Sequence, residues 1–199
     1  MPPRLSNQAG QRKQNTQWST IVLVLLGLII LLGLVILIVW LVLKPKKLEY
    51  SIDEASIDGY DLAKDHLNST FNLVVRTYNP NRRASAYYDS LEVAVTYGNQ
   101  TVAYQEVQQF VQRHRNVTRL RVSPTARYVA LPEKTARDMS LERKTGQLQV
   151  SVRVKARITF KVGLWKYRHH KLRVFCSPLV IYFSSPAKFQ WTNCTVTIK

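Results

Sequence analysis

Gln147-Leu148-Gln149-Val150-Ser151-Val152-Arg153-Val154-Lys155-Ala156-Arg157-Ile158-Thr159-Phe160-Lys161-Val162 alternates without a break, every even position apolar and every odd one polar. A side-chain period of two over this length predicts one long β-strand with a buried face and a wet face. As a helix the same residues would scatter their apolar side chains around the whole axis. Gly163 ends the run, Leu164 to His170 reads as a connection, and Lys171 to Phe183, with Val174, Cys176 and Leu179 apolar, reads as a returning strand. The two form a hairpin.

Outward from this hairpin, further strands are expected at Leu48 to Ile57, Thr70 to Tyr78, Ser90 to Tyr97, Gln100 to Gln108, Val117 to Val122 and Cys194 to Ile198, with turn residues such as Gly98-Asn99 between them. Pro132 to Arg143 opens on proline and an acid and closes near Gly146, which predicts the one short helix, placed to plug an end of the domain. Seven or eight short strands at this spacing predict an antiparallel β-sandwich. The residues from 44 to 199 are enough for one domain with its own core.

Before that domain, Ile21 to Leu43 carries no charge, amide, hydroxyl or proline. As a helix it spans roughly 34 Å, enough to cross a hydrocarbon layer of about 30 Å. A cleaved secretory signal is the competing reading. Signal cores are shorter and end at small residues, whereas this run ends in Lys44-Pro45-Lys46-Lys47, so it is read as a retained signal anchor. Trp18 and Trp40 lie where indole rings favour the headgroup layer, and Lys44 can extend its amine outward. Residues 1–20, rich in Gln, Asn, Pro and Ser, are expected to be a disordered cytoplasmic tail.

The basic residues flanking the span tie, with Arg4, Arg12 and Lys13 before it and Lys44, Lys46 and Lys47 after it, so direction has to come from elsewhere. Four N-x-Ser/Thr acceptors lie beyond the span, at Asn68, Asn99, Asn116 and Asn193. The two cysteines, Cys176 and Cys194, lie there too. An even pair in an oxidising compartment forms a disulfide, the alternative being two buried thiols. Both features place the N-terminus in the cytoplasm and the domain outside, on a single-pass membrane protein.

Asn79-Pro80-Asn81-Arg82-Arg83-Ala84-Ser85-Ala86-Tyr87-Tyr88-Asp89 has a plain physical reading. Asn-Pro turns the chain out of a strand, Asn81 tolerates a left-handed backbone, and two arginines keep the turn wet. Tyr87 and Tyr88, as strand neighbours, point to opposite faces. The segment also resembles the NPN-x5-YYD motif of the plant harpin-induced and non-race-specific-disease-resistance-like membrane proteins, whose exterior part is a late-embryogenesis-abundant group-two domain. Val154 to Lys166 looks like that family's second signature and Phe110 to Thr118 like its central segment, so the resemblance covers nearly the whole chain. Ala84-Ser85-Ala86 departs from the family's usual glycine-centred triplet, and no RGD-type adhesion tripeptide is present. The resemblance implies a fibronectin- or immunoglobulin-like sandwich on a plasma-membrane protein of defence and stress responses, and it implies no reaction.

No GxSxG, HExxH or Walker glycine loop occurs, and no catalytic residue, metal ligand or cofactor is expected. His169-His170 reads as a solvated turn beside Lys166, Arg168 and Lys171, where a metal ion would meet repulsion. Asp53 and Glu54, as strand neighbours, are poor acid-base partners. Charge carries the rest. Of 29 basic residues all but three lie beyond the span, against 12 acidic ones. Arg113, Arg115, Arg119 and Arg121 cluster in one segment, and Arg153, Lys155, Arg157 and Lys161 line the polar side of the long strand, together read as a one-faced basic stripe. Such a stripe attracts polyanions, and for an exterior domain these are acidic wall polysaccharide, anionic lipid or a partner protein, with nucleic acid topologically remote. The leading expectation is a non-enzymatic interaction domain; the alternative is a lipid-binding or membrane-bridging sandwich.

Overall fold

The alternating run is one strand over its whole length, with Leu148, Val150, Val152, Val154, Ile158 and Phe160 buried and Lys155 and Arg157 exposed. The computed structural model describes residues 8–43, 46–163, 165–183 and 189–199. The chain divides into a unit up to residue 44 and a second from residue 45.

The first unit is helix α1, Gln8–Leu43. Its stretch Trp18–Ile38 is long and apolar enough to cross a membrane, and no side chain of it is buried in protein. The helix begins well ahead of Ile21, so residues 8–20, expected as disordered tail, are helical instead. Their Ala, Gln, Arg and Lys residues have good helix propensity, and the apolar run beyond them has already met the cost of nucleation. Residues 1–7, with Arg4, and Lys44 with Pro45 lie outside the described residues, as do the side chains of Arg12, Lys13 and Trp40.

The second unit contains strands β1 Glu49–Ala63, β2 His66–Tyr78, β3 Ala84–Tyr97, β4 Gln100–Val107, β5 Phe110–Gln112, β6 Val117–Val122 and β7 Thr125–Ala130. Helix α2, Glu133–Thr145, follows, and then β8 Gln147–Val162, β9 Trp165–Tyr182, β10 Thr192–Asn193 and β11 Thr195–Ile198. All pairings are antiparallel. The spatial order is β10-β1-β2-β7-β4-β3-β8-β9-β11, with β6 added to β2 and β5 to β3. The fold is the expected β-sandwich, built as one bent sheet: its β1–β2 half and its β3–β8–β9 half meet between β7 and β4 at the pair Thr125–Tyr104. On the other side, residues 192–198 pair first with Ser51 and Ile52 of β1 and then with Leu172 to Phe175 of β9, which makes the sheet nearly a barrel. Phe71, Tyr88 and Phe160 are the largest of its fully buried side chains.

Helix α2 is offset slightly from the expected Pro132 to Arg143. Pro132 takes the N-cap, and Gly146 closes the helix at φ 81°, its N–H reaching the Arg143 and Glu142 carbonyls. Ala136 and Met139 face the core. Arg143 covers the Tyr60 ring at 4.8 Å and donates to the Tyr60 carbonyl. Burial nonetheless pushes the Tyr60 hydroxyl up to about 12, against the pull of Arg143.

Strands β2 and β3 begin earlier than expected, at His66 instead of Thr70 and at Ala84 instead of Ser90, and two further boundaries overturn the expectations. The first is Leu164 to His170, expected as a connection. Strand β9 already starts at Trp165, where Val162 pairs with Trp165 and Lys161 with Lys166 across a turn at Gly163, φ 56°. His169 and His170 therefore lie within a strand, opposite Thr159 and Ile158, and form no hairpin tip. Leu164 itself lies outside the described residues. The second is β1, which continues to Ala63 through irregularities at Ile52/Glu54 and Asp58/Asp61 that break its alternation.

Candidate functional site

The Asn79–Asp89 segment joins β2 to β3, and its asparagines work through their side chains. Asn79 is fully buried. Its Nδ2 donates to the carbonyls of Ala84 and Arg113 at 2.9 and 3.1 Å, and its Oδ1 accepts from the backbone N–H and the Nδ2 of Asn81 at 3.1 and 2.8 Å. Asn81 then reaches to residue 46: its Oδ1 accepts from the Lys46 N–H at 2.6 Å and its Nδ2 donates to the Lys46 carbonyl at 3.0 Å. The first described residue of the domain is thus held to the turn as a pair of strands would hold it. Among the described residues the non-glycine left-handed positions are Lys64, Asp65, Arg115 and Tyr128, so Asn81 is not there for its backbone freedom. Pro80 stiffens the turn, and Arg82 and Arg83 are exposed. Ala84 and Ala86 are buried at the start of β3.

Tyr88 is buried and Tyr87 half-buried, as alternation requires. The Tyr88 hydroxyl lies 2.6 Å from that of Tyr50 and donates to Gln112 Oε1 at 3.3 Å, with Thr77 Oγ1 at 3.4 Å. Gln112 Nε2 donates to the Thr77 and Asn116 carbonyls. Burial raises both tyrosines above the ordinary range because an anion there would be unsolvated, Tyr50 furthest because its anion would also be repelled by Tyr88, whereas hydrogen bonds from Thr77 and Tyr50 temper the rise at Tyr88. Among the described residues no buried side-chain nitrogen or oxygen lacks a partner. This network binds β1, β2, β3 and β5 together, and its chemistry is that of a support.

Asp89 accepts from Thr159 Oγ1 at 3.0 Å, and His169 Nδ1 lies 3.1 Å from the same carboxylate oxygen and 2.8 Å from Thr159 Oγ1. A threonine, a histidine and an aspartate in contact invite comparison with a nucleophilic triad. In such a triad one imidazole nitrogen is held by the acid while the other faces the nucleophile. Here a single nitrogen meets both groups, so no relay is formed. Asp53 bonds Ser51 and Arg119, and Glu54 is exposed beside it. Among the described residues no cluster of three or more His, Cys, Asp or Glu could hold a metal ion.

The basic residues do not make a single stripe. Arg119 and Arg121 lie on β6, in the half of the sheet that holds β2, where Arg119 pairs with Asp53 at 3.2 Å. Arg113 and Arg115 are exposed in the β5–β6 turn. Arg153, Lys155, Arg157 and Lys161 lie on β8, in the other half. The expectation of one face fails because sequence neighbours on different strands are assigned to layers by long-range pairing, which local periodicity does not encode. The β9 strand adds a second row that sequence reading missed: Lys155 stands opposite Arg173, Arg157 opposite Lys171, and Lys161 opposite Lys166. An open groove of ≈ 500 Å³ runs over this face, lined among others by Asp89, Glu92, Glu106, Lys155, Arg157 and Arg173. The signal for the second row was present, since Lys171 and Arg173 alternate with Leu172 and Val174.

Asn99 and Asn116 are exposed at turns, Asn193 is exposed in β10, and Asn68 is half-buried, its Oδ1 accepting from the Tyr128 N–H at 2.8 Å. Cys176 and Cys194 form a disulfide. It ties β9 to the junction of β10 and β11, where the Cys194 N–H also donates to the Tyr50 carbonyl.

The profile of the late embryogenesis abundant protein family matches residues 74–177, from β2 into β9. An uncharacterized protein of Arabidopsis thaliana is 34% identical over 88% of this chain and 80% of its own length. NDR1/HIN1-like proteins 26 and 10 of the same plant are each 29% identical, over 81% and 91% of this chain and 80% and 81% of theirs.

Proposed function

The chain belongs to the late embryogenesis abundant protein family, among its NDR1/HIN1-like members, and from that premise we propose a single-pass plasma-membrane protein of plant stress and defence responses. In this reading α1 is a signal anchor with residues 1–20 in the cytoplasm, and the β-sandwich is displayed outside as a non-enzymatic interaction domain. One observation carries the orientation. The Cys176–Cys194 disulfide joins β9 to the junction of β10 and β11, where the sheet closes, and such a bond persists in secreted and surface compartments while the cytosol keeps thiols reduced. The exposed acceptors Asn99, Asn116 and Asn193 agree with it.

Support for an interaction role comes from the outer faces. The groove over β8 and β9 is open and lined by both charged and apolar side chains, and basic residues stand on separate halves of the sheet, on β6 and on β8 with β9. The Asp89–His169–Thr159 contact lacks the relay an acyl-transfer site needs. Treating the expressed full chain with a glycosidase tests the orientation: removal of glycans lowers the apparent mass if the sandwich is outside. A band that does not move, from a chain whose two cysteines remain alkylatable, would place the sandwich in the cytosol and favour the lipid-handling alternative.

A further inference from the structure

The outer face of the β8–β9 hairpin carries an arrangement that folding alone disfavours. Lys155 is directly opposite Arg173, Arg157 directly opposite Lys171, and Lys161 directly opposite Lys166. Like charges at facing positions of an antiparallel pair destabilise it. Among the described residues the ion pairs are Arg119–Asp53, Arg137–Glu133 and His169–Asp89, none of them on these three pairs, and of the six cations only Lys155 has an acid, Glu92, in register on β3. The negative charge that would relieve them is therefore sought outside the chain.

The shape of the patch narrows its partner. From Arg153 to Lys161 the row runs roughly 27 Å along the strand, too long for a single phosphate or carboxylate. It is also narrow. On the β3 side Glu92 stands beside Lys155 and Glu106 beside Glu92, while on the far side Thr195 and Thr197 of β11 face Phe175 and Arg173. A broad anionic surface laid on this half of the sheet would press against Glu92 and Glu106. One linear chain fits between acid and hydroxyl. At one end the Phe175 ring is 44% exposed, with the Arg153 guanidinium 5.7 Å from its centre. An open ring beside a cation suits an acidic sugar, whose C–H face packs on the aromatic while its carboxylate meets the arginine.

We propose that this face binds an extended polyuronate, a linear polymer of acidic sugars, with its carboxylates on the Lys155–Arg173 and Arg157–Lys171 pairs and a sugar ring on Phe175. The site rests on the exterior reading above for its access to such a polymer. Polygalacturonate beads incubated with the full chain in non-ionic detergent, across a salt series, provide the test. Retention is expected to fall as salt rises. It drops at least about tenfold in the double variant Lys155→Gln/Arg173→Gln and stays unchanged in Arg119→Gln/Arg121→Gln on the other half of the sheet. Phe175→Ala lowers it severalfold, and fully methyl-esterified polymer is not retained. Equal losses in both double variants would mean that only net charge matters, and would overturn the site. Tighter capture by phosphatidylglycerol vesicles than by the polymer would overturn it in favour of headgroups. Glycan removal read on the same preparations separates the two proposals: a glycosylated chain that ignores the polymer overturns the site alone, and an unglycosylated chain that binds it overturns the exterior orientation alone.

Discussion

The turn from Asn79 to Asp89 and the outer face of the β8–β9 hairpin are both crowded with polar side chains, used in opposite ways. At the turn, Asn79, Asn81, Tyr88 and Gln112 are buried and every polar atom has a partner within the domain. On the hairpin, Lys155, Arg157, Lys171 and Arg173 are exposed and face one another with no acid between them. The first region spends its polarity on holding strands and residue 46 together. The second leaves its polarity available. The segment most recognisable as a family motif is thus a support, and the residues free to meet a partner lie elsewhere.

Variants can break this contrast, beginning where the effect is largest. Asn79→Ala removes four hydrogen bonds from a dry site and strands the partners of each, so it should lower stability by about 4 kcal/mol in denaturant unfolding. A loss under about 1 kcal/mol would mean that water replaces the side chain and that the turn is no keystone. Replacing Cys176 and Cys194 together by serine should cost about 3 kcal/mol by the same measurement, from the loop of 18 residues that the bond closes. Tyr88→Phe deletes the hydroxyl at the centre of the buried network and should cost about 2 kcal/mol.

Alkali probes the same network without mutation. Because burial raises the folded-state pKa values of Tyr50 and Tyr88, the unfolded chain releases these protons first. Their contribution is complete below about pH 10, the ordinary tyrosine value, and is lost as pH rises from there through the folded values. Urea midpoints measured from pH 8 to 11 should fall above pH 10, and the double variant Tyr50→Phe/Tyr88→Phe should flatten that fall. On the hairpin the sign reverses: Lys155→Gln relieves a like-charge pair and should raise stability by about 0.5 kcal/mol. A decrease of similar size would show that Lys155 is already compensated within the fold.

The long strand, the short helix and the returning strand were legible because each is a local pattern: alternation from Gln147, proline and acid at the head of α2, Gly146 at its end. Strands β5, β7 and β10 were not expected. Thr125–Ala130 follows a proline and turns through a left-handed Tyr128, and Thr192–Asn193 is too short to show a period. The site was half legible. Periodicity places Arg153, Lys155, Arg157 and Lys161 on one side of β8; Lys171 and Arg173 lie within the expected returning strand, but which residues they face is set by register, and Lys166 joins the row only because β9 starts at Trp165. Likewise, nothing local in Asn79-Pro80-Asn81 points to Lys46, because that contact is made by folding the chain back across the first strand.

The pairing of β10 with β1 has a kinetic consequence. Ser51 meets Asn193 and Ile52 meets Thr192, partners from opposite ends of the domain's sequence, and their union must wait for almost everything between them. Antiparallel folds dominated by such distant partners form on the order of milliseconds to seconds, far more slowly than bundles built from local contacts. During that interval the outer margin of β1 has backbone donors and acceptors with nothing bound to them, ready to template a strand from another molecule. Thr192 and Asn193 end that exposure at Ser51 and Ile52.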